Sequence, residues 1–245
     1  MNDSSSDAGA LASRADSKAR ASVSKPDPQM RNGRRTPTQD RSQASLERIL
    51  KAALHLMSKR ASEDFTLQEV SSLGRVSIGS IYHQFQSKDD IVRAVIAREL
   101  ADIAEIERAA LKNALLQSET LVDFVPRFVN FFSQSVREHS LIIRLAMRRA
   151  TIDVEVSNTG DDREQESAEA LAEALRAFGD EIAGDVTYKS AIIFHVIFSA
   201  LARNLSLNTS LAKPNAPNWK SLTEELSIMA LAYLKSGSPR VAGNK

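Results

Sequence analysis

The chain has 245 residues, 42% apolar and 26% charged, with a formal net charge of +1; that is enough for a sizeable core in one large or two small domains of ordinary globular composition. It has no cysteine, and its histidines at 55, 83, 139 and 195 stand singly, which excludes disulfide frameworks, thiolate chemistry and any obvious metal site. With so little net charge, affinity for nucleic acid would have to come from a local patch.

The first twenty residues, MNDSSSDAGALASRADSKAR, lack the apolar stretch of a secretory signal, and the longest greasy run, AIIFHVIFSALA, is too short to span a bilayer. A cytoplasmic protein without a membrane segment is expected. Residues 1–40 are rich in Ser, Asp, Arg, Lys and Pro, bury almost nothing, and read as a disordered tail. Its end nearest the folded part is basic, through Lys25, Arg31, Arg34, Arg35 and Arg41. Both a solvated tail and a DNA-touching arm fit that pattern.

Helical periodicity begins near Ser42, with Leu46, Ile49, Leu50, Ala53, Leu54 and Met57 on one face. Thr66-Leu-Gln-Glu69 is a capping box opening a second helix, with Leu67, Val70 and Leu73 expected to face inward and Gly74 to end it. Ser77 caps a third helix over about 78–85, barely two turns long. Ser87 and Asp90 start a fourth, predicted from Lys88 to about Leu116. Beyond it, TLVDFVPRFVNFFSQSVREH and SLIIRLAMRRA read as helices, with Pro126 confined to the first turns or a kink. TIDVEVSNTGDD reads as a loop. Further helices are predicted over about 163–182, 187–207 and 219–235, the last after a linker carrying Pro214 and Pro217. The fold class is all-α.

Helix, short turn, short helix is the helix-turn-helix arrangement. On the third helix Ile81 and Phe85 pack inward, while Gly79, Ser80, Tyr82 and His83 share the exposed side. A glycine there weakens the helix by about 1 kcal/mol but lets the backbone approach a phosphate or a base edge closely. Ser, His and Tyr can hydrogen-bond to either.

The stretch FTLQEVSSLGRVSIGSIYHQFQSKDDI resembles the N-terminal domain of TetR-family bacterial transcriptional regulators. Thr66, Val76, Ser77, Gly79, Ser80, Ile81, Tyr82, Phe85, Ser87 and Lys88 match the family's pattern, and the upstream TPTQDRSQASLERILKAALHLM resembles its first helix and lead-in. The resemblance covers about residues 36–100. It implies that Tyr82 and Lys88 grip phosphates, that Thr66 and Gln68 meet the DNA backbone, and that Ile78, Gly79, Ser80, His83 and Gln84 face bases. Ile78 is equally readable as core. Ser77 belongs to the same DNA-facing set, and Arg34 and Arg35 would reach a minor groove. Two departures stand out: Gly74-Arg75 replaces the usual Ala-Gly, which could add a cationic contact at Arg75, and Ser71 stands where Ala is usual.

The expected organisation is a tail at 1–40, a DNA-binding domain at 41–100 with its motif at about 66–85, a helical regulatory and dimerisation domain at 101–236, and a flexible end at 237–245. By the same resemblance the larger half binds a small-molecule effector and forms a homodimer through its last two long helices. Candidate pocket residues are Phe124, Phe128, Phe131, Phe132, Arg144, Met147 and His195; ordinary core is the competing reading for the phenylalanines and for His195. Candidate interface residues are Ile193, Val196, Ile197, Ala200, Leu201, Leu222, Leu226, Met229 and Tyr233, an internal core being the alternative. The leading expectation is a homodimeric repressor that leaves a double-stranded DNA operator when its effector binds. A DNA-bound adaptor docking a protein partner is the second reading. No Glu-x-x-His set, nucleophile motif or phosphate loop supports an enzyme, and no cofactor is expected.

Overall fold

The computed structural model describes residues 37–207 and 218–237. Almost the whole expected tail, Arg34 and Arg35, the Pro214/Pro217 segment and residues 238–245 lie outside them. The chain order is α1 (Pro37–Arg60), α2 (Leu67–Gly74), α3 (Ile78–Gln84), α4 (Lys88–Leu116), α5 (Leu121–Glu138), α6 (Ser140–Ala150), α7 (Val154–Leu175), a 3-10 segment (Arg176–Glu181), α8 (Val186–Leu207) and α9 (Trp219–Lys235). α1 therefore starts inside the segment read as tail. None of the described helices is long and apolar enough to cross a membrane.

The capping signals act as read. Thr66 Oγ1 accepts from the Glu69 N–H while the Glu69 carboxylate accepts from the Thr66 N–H, and Ser87 and Asp90 repeat the arrangement at α4. α1, α2 and α3 close on Ile49, Met57, Val70 and Ile81, each at most 1% exposed. Ile91, Val92 and Val95 join α4 to that cluster, and Ile103 and Leu111 carry the same helix into the larger half.

Three local expectations fail for physical reasons. Leu73 is 48% exposed rather than inward: on a helix of eight residues Val70 and the half-buried Leu67 fill the face toward α1. Gly74 does not supply the left-handed residue that ends α2. Arg75 does, at φ 50°, while Gly74 stays helical and buried, where a Cβ would lie 3.0 Å from the Arg48 carbonyl oxygen. The glycine serves the close approach of α1, and the strained turn falls to an arginine. Third, TIDVEVSNTGDD is not a loop. α7 starts at Val154, capped by Asp153, whose side chain accepts from the Glu155 N–H, and buries Val156. Tertiary contacts override the poor helix propensity of Val, Asn, Thr and Gly. The helix also ends sooner than expected, at Leu175, passing into the 3-10 segment that buries Phe178.

In the larger half α7 lies along α8 and against α4 and α6, while α9 packs on α5 and α8. Phenylalanines form a continuous ladder with centroid separations of 5.0–6.4 Å, running Phe178, Phe124, Phe128, Phe132, Phe194, Phe198. Lys189 is 1% exposed, and its Nζ donates to the carbonyls of Tyr233, Leu234 and Ser236. A buried ammonium thus caps the C-terminus of α9 and ties it to α8. Burial pulls its pKa below the ordinary lysine value.

Candidate DNA interface and regulatory cavity

α3 presents Gly79, Tyr82 and His83 to solvent, Tyr82 at 58% exposure, and turns Ile81 into the core. A Cβ on Gly79 would meet only Ser77 Oγ, at 3.8 Å, so no packing demand explains that glycine and the backbone there is open to approach. Ser77 Oγ accepts from the Ser80 N–H at 3.0 Å and pairs with Ser80 Oγ at 2.8 Å, so both hydroxyls serve the helix start. Gln84 is not free: its Nε2 donates to Ser42 Oγ at 2.7 Å, pinning α3 to α1. Ile78 is half-buried against the core. Lys88 Nζ lies 5.1 Å from the centroid of the Phe65 ring, a cation–π contact that holds the ammonium at the start of α4. Gln68 and Arg75 are exposed. Glu69, bridged to Arg60, has its pKa lowered to about 2, chiefly by that side-chain hydrogen bond.

A second constellation was invisible in the sequence. Asp153, only 3% exposed in its side chain, accepts from Arg93 Nε on α4 and Arg149 Nε on α6, each at 2.9 Å. Arg149, itself 11% exposed, also reaches Glu63 at 2.9 Å, before α2, and Asp89 at 3.1 Å, in the first turn of α4. Arg93 further contacts Asp90 and Glu155. Asp153 thus ties the start of α7 to α4, which follows the helix-turn-helix, and to α6, whose Arg149 reaches Glu63 between α1 and α2. The two guanidiniums hold its carboxyl below the usual aspartate range despite burial, which opposes them.

The same α7 walls a cavity of about 170 Å³ between α4, α6 and α8, lined by Leu100, Ile143, Met147, Phe194 and Phe198 among others. Arg163 projects from α7 at its edge and gives Nη2 to Glu107 on α4 at 2.7 Å, and Ser135 Oγ donates to the same carboxylate at 2.8 Å. Burial pushes the Glu107 carboxyl up from its ordinary value, against the pull of Arg163.

Residues 49–95 match the profile of the bacterial regulatory proteins of the tetR family. Those residues form a TetR-type DNA-binding domain. No curated protein matches it in sequence, but solved structures share its fold over most of both chains. A protein from Mesorhizobium loti MAFF303099 assigned to the TetR family of transcriptional regulators is 12% identical over 79% of this chain and 96% of its own, with a TM-score of 0.64. NemR of E. coli, in its reduced form, is 18% identical over 80% and 99%, at 0.52. GusR of Salmonella enterica is 16% identical over 82% and 98%, at 0.55. At such identities the likeness is one of fold.

Within that TetR fold, the residues expected to line a pocket divide. Met147 lines the 170 Å³ cavity. Phe128, Phe131 and Phe132 border only a much smaller one of about 30 Å³, and Phe124 is wholly core. Arg144 is exposed and lines none of the cavities described here. His195 faces outward, its Nδ1 2.7 Å from Glu164. The cavity instead sits at the far end of the phenylalanine ladder, under the helix read as a loop. Of the expected interface residues, Ile193, Ile197, Leu201 and Leu226 are buried within the single chain, at 4% exposure or less, and Ile193, Ile197 and Leu226 line a groove between α8 and α9. Val196 and Met229 stay exposed, Ala200, Leu222 and Tyr233 are half-buried, and the exposed Ile228 was overlooked.

Proposed function

We propose that this chain is a regulator of the TetR family and acts as a cytoplasmic homodimeric repressor, with its DNA-binding domain at residues 41–100 and its regulatory domain at 101–236. A small molecule entering the 170 Å³ cavity releases it from its operator. The observation that carries the DNA half is the displayed face of α3: Gly79 open to close approach, Tyr82 and His83 exposed, and Ile81 anchoring them. In this reading Tyr82, Lys88, Thr66, Gln68 and Arg75 hold phosphates. Gly79, Ser80 and His83 meet base edges and Ile78 a thymine methyl, while Arg34 and Arg35 follow the minor groove.

The dimer is supported by the apolar groove between α8 and α9, lined by Ile192, Val196, Met229 and Tyr233, and by the exposed Ile228 on α9. Pairing through these helices sets two α3 helices about 34–36 Å apart, one turn of B-DNA. The effector half is supported by α7, which walls the cavity and through Asp153 holds α4 and α6. A ligand that shifts α7 acts on the DNA-binding helices by that route.

The test is fluorescence anisotropy with DNA from upstream of the neighbouring genes. A sequence-specific complex on a near-palindromic site, weakening steeply with salt, is expected; absence of any specific complex at low salt overturns the reading. An adaptor docking a protein partner on Ile228 and Met229 would be monomeric on its own and indifferent to small molecules.

A further inference from the structure

Two segments carry the DNA-backbone contacts assigned above: the start of α2, with Thr66 and Gln68, and the start of α4, with Lys88. Each brings an acid with it. Glu63 stands three residues before Thr66, outside any helix, and Asp89 directly follows Lys88. An acid in the first turn of α4 suits the helix dipole, but beside a phosphate it repels.

One side chain from the larger half answers both acids. Arg149, in the last turn of α6, gives Nη1 to Glu63 at 2.9 Å and sets Nη2 3.1 Å from Asp89. Its neighbour Arg148 donates to the Ala61 carbonyl at 3.3 Å, so two consecutive arginines of α6 clasp the connection between α1 and α2. Within the DNA-binding domain, Phe65 donates its N–H to the Glu63 carbonyl at 3.0 Å and carries the Lys88 ammonium 5.1 Å from its ring centroid. The two segments are therefore joined twice, through Phe65 with Lys88 and through Arg149 with its two acids.

The bridge has a geometric and an electrostatic consequence. It fixes the spacing of two phosphate contacts that share no helix. Its guanidinium also offsets Glu63 and Asp89, whose charges would otherwise face the phosphates that Lys88 grips. The Arg149 side chain is only 11% exposed, so it acts through these partners rather than by touching DNA, and salt screens it little.

We propose that Arg149 is a positioning residue for DNA binding: the larger half supplies the arginine that holds the α2 and α4 backbone contacts at one spacing and neutralises the acids beside them. This rests on the phosphate contacts of Thr66 and Lys88 given under Proposed function.

Arg149 also meets Asp153, so the test is a double-mutant cycle that separates the two partners. Fluorescence anisotropy of the full-length protein is measured on the operator fragment and on an unrelated duplex of equal length, where circular dichroism shows each variant folded. Arg149→Gln should weaken both duplexes by the same factor, about tenfold, and lower the salt slope by about 1, which loss of stability alone does not do. In the Glu63→Gln, Asp89→Asn background the bridged acids are gone while Asp153 remains, and there Arg149→Gln should change affinity by less than about twofold. If Arg149→Gln does not fold, Arg149→Lys enters the same cycle. It keeps a charge for Asp153 but cannot span Glu63 and Asp89, and about threefold is expected in place of tenfold. An equal loss in both backgrounds, no loss on either duplex, or a loss confined to the operator overturns the proposal. Wild type that binds neither duplex refutes the phosphate assignments themselves; wild type that binds while the cycle is additive refutes only the part given to Arg149.

Discussion

Removing the Asp153 carboxylate should cost stability and DNA control together, and the structure gives the scale. In Asp153→Ala, Arg93 and Arg149 lose an acceptor they each meet at 2.9 Å, and α7 loses its cap. Breaking a buried ion pair costs about 3–5 kcal/mol. Arg149 keeps Glu63 and Asp89, which places this case at the lower end, near 3 kcal/mol. The lost cap adds about 1 kcal/mol. The expected total for Asp153→Ala is about 4 kcal/mol. Asp153→Asn keeps an equally good cap and should lose about 3 kcal/mol.

Urea unfolding reads both numbers as shifts in midpoint at constant slope. Acid sharpens the test. Because the folded state holds Asp153 below its ordinary pKa, the contribution is fully present above about pH 4 and is lost as pH falls through the depressed value. Asp153→Asn should flatten that part of the acid profile. Both variants within about 1 kcal/mol of wild type, together with an unchanged acid profile, would refute the clamp. A ligand that still releases operator with wild-type efficiency from Asp153→Asn would refute its part in coupling.

Arg75→Gly should stabilise the protein by about 1 kcal/mol, since φ 50° suits glycine and strains arginine; if Arg75 touches phosphate, the operator affinity and salt slope fall at the same time, which anisotropy at several salt concentrations detects. Lys189→Met should lose about 1–3 kcal/mol in urea unfolding, because the Ser236 carbonyl just past α9 loses its donor while those of Tyr233 and Leu234 keep Ser236 Oγ and the Ala183 N–H, and should weaken the dimer in analytical ultracentrifugation. Tyr82→Phe should weaken all DNA sequences alike, by about tenfold at most. His83→Ala should change which bases are preferred by about 1–3 kcal/mol at one position, as read by binding to a randomised operator library. Glu69→Gln should remove the acid sensitivity that wild type shows as pH falls from the ordinary glutamate range toward 2, because Arg60 holds that carboxyl near 2 only in the folded state.

What was legible in the sequence is what is local. Thr66 with Glu69, and Ser87 with Asp90, set two helix starts within four residues each, and the alternation of apolar positions in α1 and α4 needs no partner to be read. The displayed side of α3 follows from the same periodicity. The rest was set by partners far along the chain. Asp153 meets Arg93 across 60 residues, Arg163 meets Glu107 across 56, and neither residue stands out in a stretch rich in Thr, Val, Asn and Gly. The bond that holds Gln84, which the resemblance set among the base-facing residues, was hidden for the same reason: its partner Ser42 lies 42 residues away. The interface candidates divide for another reason. α8 is apolar almost all round, and periodicity alone cannot tell the side that meets α5 and α7 from the side left outside.

The clamp also bears on how a small guest could move a large helix. Shifting a two-state equilibrium from about 1:99 to 99:1 takes roughly 5.5 kcal/mol of differential binding, and whatever opening the network costs must be met by the effector in addition. A clamp whose release stranded both arginines would add about 3–5 kcal/mol for each. Here each guanidinium has a substitute off α7 already in place: Arg149 has Glu63 and Asp89, and Arg93 has Asp90, while its other partner, Glu155, belongs to α7 itself. In the proposed release, in which α7 moves, each arginine therefore keeps an acceptor, and Asp153 and the exposed Glu155 turn to water. The redundancy of acceptors that makes the network look overbuilt keeps its opening within range of a small ligand.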